Sequence, residues 1–343
     1  MNYIGADVHI STIDFAVVGE TGRVAKRHRI ETSERGMVEF VKSIREPRQL
    51  IIEEGTLAGW IKDVMEIRGE RVVVTDPKQN RWIGRAENKS DRIDAEKLAQ
   101  LQRGGYTKEI EHLVGNRRRF RELVMYYHDT VKSVTRVKNK LKAKYRQNGI
   151  QCSGETVYDE RHFPEWLEKL PQEETVRFQV EGLMQQLVFL EGQKSEILKR
   201  VKEIGKEARE ISQFRKIAGI DWILACTISA LVGDMHRFSS KRKFWKYVGL
   251  GIVQRGSGKS VSPSHLTGDY NRRLKWAFKT ASWSAIASND NPFRRQYLRL
   301  TMEKGIMEHR AVLTVARSIA STVYAIWKKG AAYDPVIREK IAA

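Results

Sequence analysis

Up to about residue 105 the chain alternates short β-branched runs with short helical ones; beyond it, long helical periods take over. A break of that kind excludes one uniform architecture and calls for more than one core. Tyr3 to Val8 and Thr12 to Val18 are joined by a tight polar turn, and Arg23 to Ile30 follows Thr21-Gly22, so three strands are expected as a meander. A helix should carry Met37, Val38, Phe40, Val41 and Ile44. It is followed by a strand at Leu50 to Ile52, a helix at Leu57 to Ile67, a strand at Val72 to Val74 and a helix from Asp91 to Gln102.

From Asn116 to Asn148, Leu123, Tyr127, Thr130, Val134, Val137 and Leu141 recur at steps of three and four, which predicts a long amphipathic helix. A second, from about Glu173 to Ser212, repeats the pattern at Leu183, Leu187, Leu190, Ile197, Val201 and Ile204, with Lys194 on its seam. The pair could fold back as a hairpin or zip against another subunit. From Phe214 the chain reads as mostly helical, with helices at Arg272 to Ser288 and Arg310 to Lys328 around a Gly/Ser-rich loop, Gln254 to Ser260. Ile217 to Asp221 resembles the glycine turn of a helix-hairpin-helix. The expected division is therefore residues 1–108, 109–212 and 213–343. The order of the first part is that of an RNase H-like α/β domain, although several other α/β folds share it.

The chain has 62 Lys+Arg against 42 Asp+Glu, a net charge of +20, which points to a polyanionic partner. Arg117, Arg118, Arg119, Arg121, Lys132, Arg136, Lys138, Lys140, Lys142 and Lys144 would line the first long helix with cations for a phosphate backbone. Lys241, Arg242, Lys243, Lys246, Arg272, Arg273 and Lys275 could form a second contact surface near the Gly/Ser-rich loop, and Arg255 and Lys259 within that loop are further candidates for nucleic-acid contact. Trp222, Phe244, Trp245, Tyr247 and Trp276 read as core residues or base-stacking platforms. Cys152 and Cys226 lack metal-finger or disulfide spacing, no membrane segment is evident, and a cytoplasmic protein is expected.

Asp7 lies in an otherwise apolar strand, IGADVHI, where an uncompensated buried carboxylate is costly. Glu53 ends the strand QLIIE, with Glu54 beside it as the competing candidate. Asp91 and Asp94, three residues apart, share a helix face. Four hard oxygen ligands would suit Mg²⁺ or Mn²⁺ and phosphodiester chemistry. Taken singly, Asp91 reads equally well as a helix cap and Glu53 as a surface strand end.

GADVH, IIEEGT and NKSDRIDAEKLA resemble the three motifs of the DEDD insertion-sequence transposases of the IS110 family, related to the Piv/MooV invertases, whose catalytic domain is RuvC-like. FRKIAGIDWILACTISALVGDMHRF, FWKYVGL, RGSGKS and LTGDYNRRLKWAF resemble that family's second conserved region in order. The resemblance implies an RNase H-like (RuvC-like) catalytic domain, a long helical coiled-coil segment and a mainly α C-terminal transposase domain. It also implies metal-dependent strand cleavage and exchange through a phosphoserine-DNA intermediate, with Asp7, Glu53, Asp91 and Asp94 as metal ligands and Ser257 as nucleophile. Donor and target DNA, a noncoding bridge RNA and further copies of the chain, a dimer or tetramer, are the implied partners, in the cytoplasm of a bacterium or archaeon near the nucleoid. Departures fall at Glu53-Glu54-Gly55-Thr56, at Ala218 and Asp221, and at Tyr270-Asn271. The alternatives are a junction-resolving nuclease that uses water, which needs the carboxylates but not Ser257, and a non-catalytic nucleic-acid scaffold.

Overall fold

The structure, a computed structural model, describes residues 1–77, 91–253, 256–257, 260–261, 265–266 and 268–334; at 91, 92, 253, 256, 257, 260, 261 and 265 the description is of the backbone. Two compact units emerge, Met1–Arg119 and Phe120–Ala343.

The first unit is built on strands β1 (Asn2–Val8), β2 (Thr12–Val18), β3 (Val24–Glu31), β4 (Arg48–Glu53) and β5 (Val72–Thr75). They form one sheet in the order β3-β2-β1-β4-β5. The meander pairs antiparallel, while β1–β4 and β4–β5 are parallel. The parallel pairs require crossovers, supplied by α1 (Glu34–Lys42), which Ser33 caps by accepting from Gly36 N–H at 3.1 Å, and α2 (Ala58–Glu66).

Alternation sorts the sheet residues onto two faces. Ile4, Ala6, Ile13, Phe15, Leu50, Ile52, Val72 and Val74 bury against Met37, Phe40, Val41, Ile61 and Met65 of α1 and α2. The other face carries Gly5, Ala16, Ile51 and Val73 and is covered by α3 (Asp91–Arg103), whose Leu98 packs with Ile51, Val73 and Tyr3. This mixed five-stranded sheet matches the RNase H-like element order.

The middle helices and the C-terminal region do not form separate bodies. Helix α4 (Gly115–Gln147) leads into the second unit, followed by α5 (Phe163–Glu168), α6 (Glu174–Lys206), α7 (Arg209–Phe214), α8 (Trp222–Val232) and α9 (Lys241–Tyr247). Four two-residue strands come next: β6 (Ile252–Val253), β7 (Gly256–Ser257), β8 (Ser260–Val261) and β9 (His265–Leu266). Helices α10 (Arg272–Ala287), α11 (Pro292–Leu298) and α12 (Glu308–Lys329) close the unit.

Phe120 and Val124 of α4 and Ile197 and Val201 of α6 belong to the core of α7–α12. The far halves of the two long helices make a second core, in which Val134, Val137, Leu141 and Tyr145 meet Val180, Met184 and Leu187. Cys152, Val157, Trp166 and Leu170 of the connection close its tip. Lys138 Nζ reaches Glu191 Oε1 at 3.3 Å across the pair. The long helices thus fold back on each other within one chain.

Candidate active site

Gly5 places the first candidate. A Cβ built there would lie 1.9 Å from the carbonyl oxygen of Ala95 and 2.8 Å from the Ala99 nitrogen, so only glycine lets α3 lie this close on β1. Ala16, opposite Gly5 in register, keeps the neighbouring strand equally low. Helix α3 is pinned along its length: Arg27 donates to Glu96 at 2.6 Å, Gln100 to the Gly22 carbonyl at 2.6 Å, and Gln102 to Gln49 Oε1 at 2.9 Å. Gly22 and Gln49 lie toward the start of β1, so the N-terminal turn of α3, with Asp91 and Asp94, lies toward the end of β1, where Asp7 is.

Asp7 is two residues beyond Gly5 and therefore projects to the α3 face. Its Oδ2 is 3.2 Å from His9 Nε2. The β1–β4 register ends at Ala6 with Ile52, which makes Asp7 and Glu53 the next neighbours along the two strands. Glu53, two beyond Ile51, shares Asp7's face. Glu54 falls past the strand, where its carboxylate is joined to His112 Nε2. Parity along the strand thus favours Glu53 over Glu54.

Asp94 is half-exposed, with Lys97 Nζ at 3.3 Å. The Asp91 side chain lies outside the described residues. Among the described residues, no three His, Cys, Asp or Glu side chains stand close enough to hold an ion. The donor set still fits a hard divalent cation in type, because Asp7 and Glu53 share one face at adjacent strand ends beneath the helix that carries two further carboxylates.

Sequence reasoning missed Asp14. It stands opposite Asp7 in the β1–β2 register and on the same face, 2% exposed. Arg29, its partner on β3, donates Nε to both carboxylate oxygens at 2.9 Å. This pair fixes a cation beside the carboxylates and compensates a charge that would otherwise repel Asp7.

Ser257 is the second residue of β7 and pairs with Ser260 of β8, inside an outer hairpin in which β6 pairs with β9. Its side chain lies outside the described residues, as do Arg255 and Lys259. The turn at Ile217 to Asp221 is described. Gly219 has φ +86°, and a Cβ there would lie 2.1 Å from the Ala281 carbonyl oxygen. Asp221 caps α8 by accepting from Leu224 N–H at 2.8 Å, so a phosphate approaching this helix start would meet a carboxylate.

The cations predicted to grip nucleic acid divide in the structure. Arg117, Arg119, Arg136, Lys140 and Arg272 are exposed, and Arg121 and Lys144 partly so. Arg118 instead donates Nε to Asp63 at 2.6 Å, with the other Asp63 oxygen accepting from Gly115 N–H, a joint at the start of α4. Lys138 and Lys142 both lie 4.8 Å over the Tyr158 ring. Lys132 is 2.8 Å from Asp129, and Arg273 is 3.9 Å from the same carboxylate. Burial pushes the Cys226 thiol up to about 12, which removes it as a nucleophile. No helix among the described residues is long and apolar enough to cross a membrane.

Residues 4–147 match the DEDD model of IS110 type described as "Transposase", and residues 211–298 match the one described as "Transposase IS116/IS110/IS902 family". A putative transposase of Sinorhizobium fredii, y4qE, is 23% identical over 287 residues, 82% of this chain and 71% of that protein. The transposase for insertion sequence element IS1111A of Coxiella burnetii is 19% identical over 257 residues, 74% and 70% of the two chains. An uncharacterized 44.8 kDa protein of insertion element IS116 in Streptomyces clavuligerus is 27% identical over 143 residues, 40% of this chain; the match spans only 35% of that protein's length.

Proposed function

The chain belongs to the IS110 family of DEDD insertion-sequence transposases, and from that premise we propose that it cuts and exchanges DNA strands through a serine-linked intermediate. The observation that carries the reading is the placement of Asp7 and Glu53 on one face, at adjacent strand ends, under the helix bearing Asp91 and Asp94. Mg²⁺ or Mn²⁺ held by Asp7, Glu53, Asp91 and Asp94 would supply Lewis-acid polarisation of the scissile phosphate.

The chain's own groups do the rest. The Ser257 hydroxyl oxygen attacks phosphorus and gives up its proton as the phosphoester bond to the deoxyribose oxygen breaks, and that oxygen leaves as a hydroxyl. A hydroxyl from a second strand then attacks the phosphoserine and releases the serine. Asp14 and Arg29 keep the carboxylate end of the sheet ordered when no cation is bound. The exposed cations of α4 bind phosphate backbone, a bridge RNA selects donor and target DNA, and a dimer or tetramer supplies two active sites for two strands.

The test incubates the protein with Mg²⁺, element RNA and labelled DNA and resolves the products on a denaturing protein gel. Wild type gives a DNA-linked protein band, and Ser257→Ala and Asp7→Asn give none. Cleavage that survives in Ser257→Ala without a linked band would establish a water-using nuclease instead. Full activity in Asp7→Asn would reduce the carboxylates to a structural role.

A further inference from the structure

Helix α10 buries one side of itself in the C-terminal core through Leu274, Ala277, Phe278, Ala281 and Ala285. The opposite side carries Arg272, Trp276, Lys279 and Trp283, spaced by four, three and four residues, so all four side chains fall on a single stripe. Each is exposed, and the indoles are 43% and 48% accessible. Tryptophan is ordinarily among the more buried residues, and two on one face of a helix leave nearly half of each indole in solvent, surface that core packing does not use. The helix contains no carboxylate.

Other tryptophans of this unit are engaged within it. Trp222 lies under the Arg215 guanidinium at 3.9 Å, Trp245 donates to Ser321 Oγ at 3.1 Å, and Trp327 meets the Phe214 ring at 5.4 Å.

The stripe is also held rigid. Asn271 caps α10 by accepting from Leu274 N–H at 3.0 Å, and the Gly219 turn seats against the backbone of Ala281. The His128 ring meets Trp276 edge-on at 5.4 Å and fixes its orientation. The Asp129 carboxylate nearby is neutralised by Lys132 and Arg273.

We propose that the exposed face of α10 binds a single DNA strand, with Trp276 and Trp283 stacking on unpaired bases and Arg272 and Lys279 contacting its phosphates. Seven residues of helix separate the two indoles by about 10 Å, a span of a few nucleotides, and the two cations repeat the same interval. In a duplex each base face is covered by its neighbour, so stacking platforms of this kind select strands that are already unpaired. The source of such a strand rests on the proposed strand exchange, which must displace one.

Binding to fluorescein-labelled oligo-dT is followed by anisotropy with the full chain in EDTA, so that the result does not depend on cleavage. Trp283→Leu is expected to weaken oligo-dT binding about tenfold and Trp283→Tyr to retain most of it, with the same contrast between Trp276→Leu and Trp276→Tyr, and with duplex DNA little affected. The proposal is overturned if Trp283→Leu binds as wild type does, if tyrosine is no better than leucine, if duplex binding falls equally, or if the loss is confined to oligo-U.

Discussion

At the scale of single residues, Gly5 does the most to position the candidate active site. Gly5→Ala sets a methyl group against the Ala95 carbonyl, and the helix must lift or the strand must yield. A loss of about 3 kcal/mol in urea unfolding is expected, together with loss of strand cleavage. Gly19→Ala, where no described residue lies within 4 Å, should change neither and serves as the control. Asp7 and Glu53 stand out as candidates in the sequence because a charge at the end of an apolar strand is conspicuous in one dimension. Asp14 does not, since TIDF reads as ordinary alternation, and its meaning comes from Asp7 and Arg29 across two registers. Between Glu53 and Glu54 the sequence offers no preference, because which of the two shares Asp7's face follows only from the side of the sheet that α3 covers.

At the scale of elements, the hairpin of α4 and α6 buries a polar group at its tip. The Tyr145 hydroxyl is fully buried among Trp166, Cys152 and Leu141 and has no hydrogen-bond partner among the described residues, and burial pushes the phenol up to about 12. Tyr145→Phe removes the stranded hydroxyl and keeps the ring, so it should stabilise by about 1 kcal/mol, read as a rise in melting temperature. A fall would reveal a partner for the hydroxyl, such as a bound water. The strands of the first unit could be read almost to the residue because β-branched alternation and turn residues agree there. The seam of α4 was legible from Thr130 onward. Before it, the buried positions are Phe120, Val124 and His128 rather than Leu123 and Tyr127, because the first turns of the helix face a different core. Ile204, expected on the seam of α6, is 44% exposed; at its neighbour Gly205 a Cβ would lie 2.8 Å from Cys226 Sγ, so α6 turns its glycine toward α8.

At the scale of the second unit, stability should depend on pH through His128. Its Nε2 lies 2.8 Å from Thr227 Oγ1, joining α4 to α8, and burial, helped by the Arg273 charge, lowers its pKa from 6.5 to about 4. The unfolded chain therefore takes up a proton first as pH falls through 6.5. Stability is unaffected above that point and declines toward about pH 4, by up to about 3 kcal/mol. Melting curves across this window should show the decline, and His128→Gln should flatten it; an equally steep decline in the variant would assign it to other groups.

Helix α4 belongs to two cores at once, to the C-terminal bundle through Phe120 and Val124 and to the hairpin tip through Val134, Leu141 and Tyr145. Mechanically it is a keyed shaft, with both ends locked in rotational phase. One residue inserted between the keys would turn the far key by about 100° against its socket, whereas a seven-residue change made in both arms would nearly preserve the phase of each. The length of this arm can therefore change readily only in matched steps of about two helical turns, so relatives with longer or shorter arms should differ by multiples of that step.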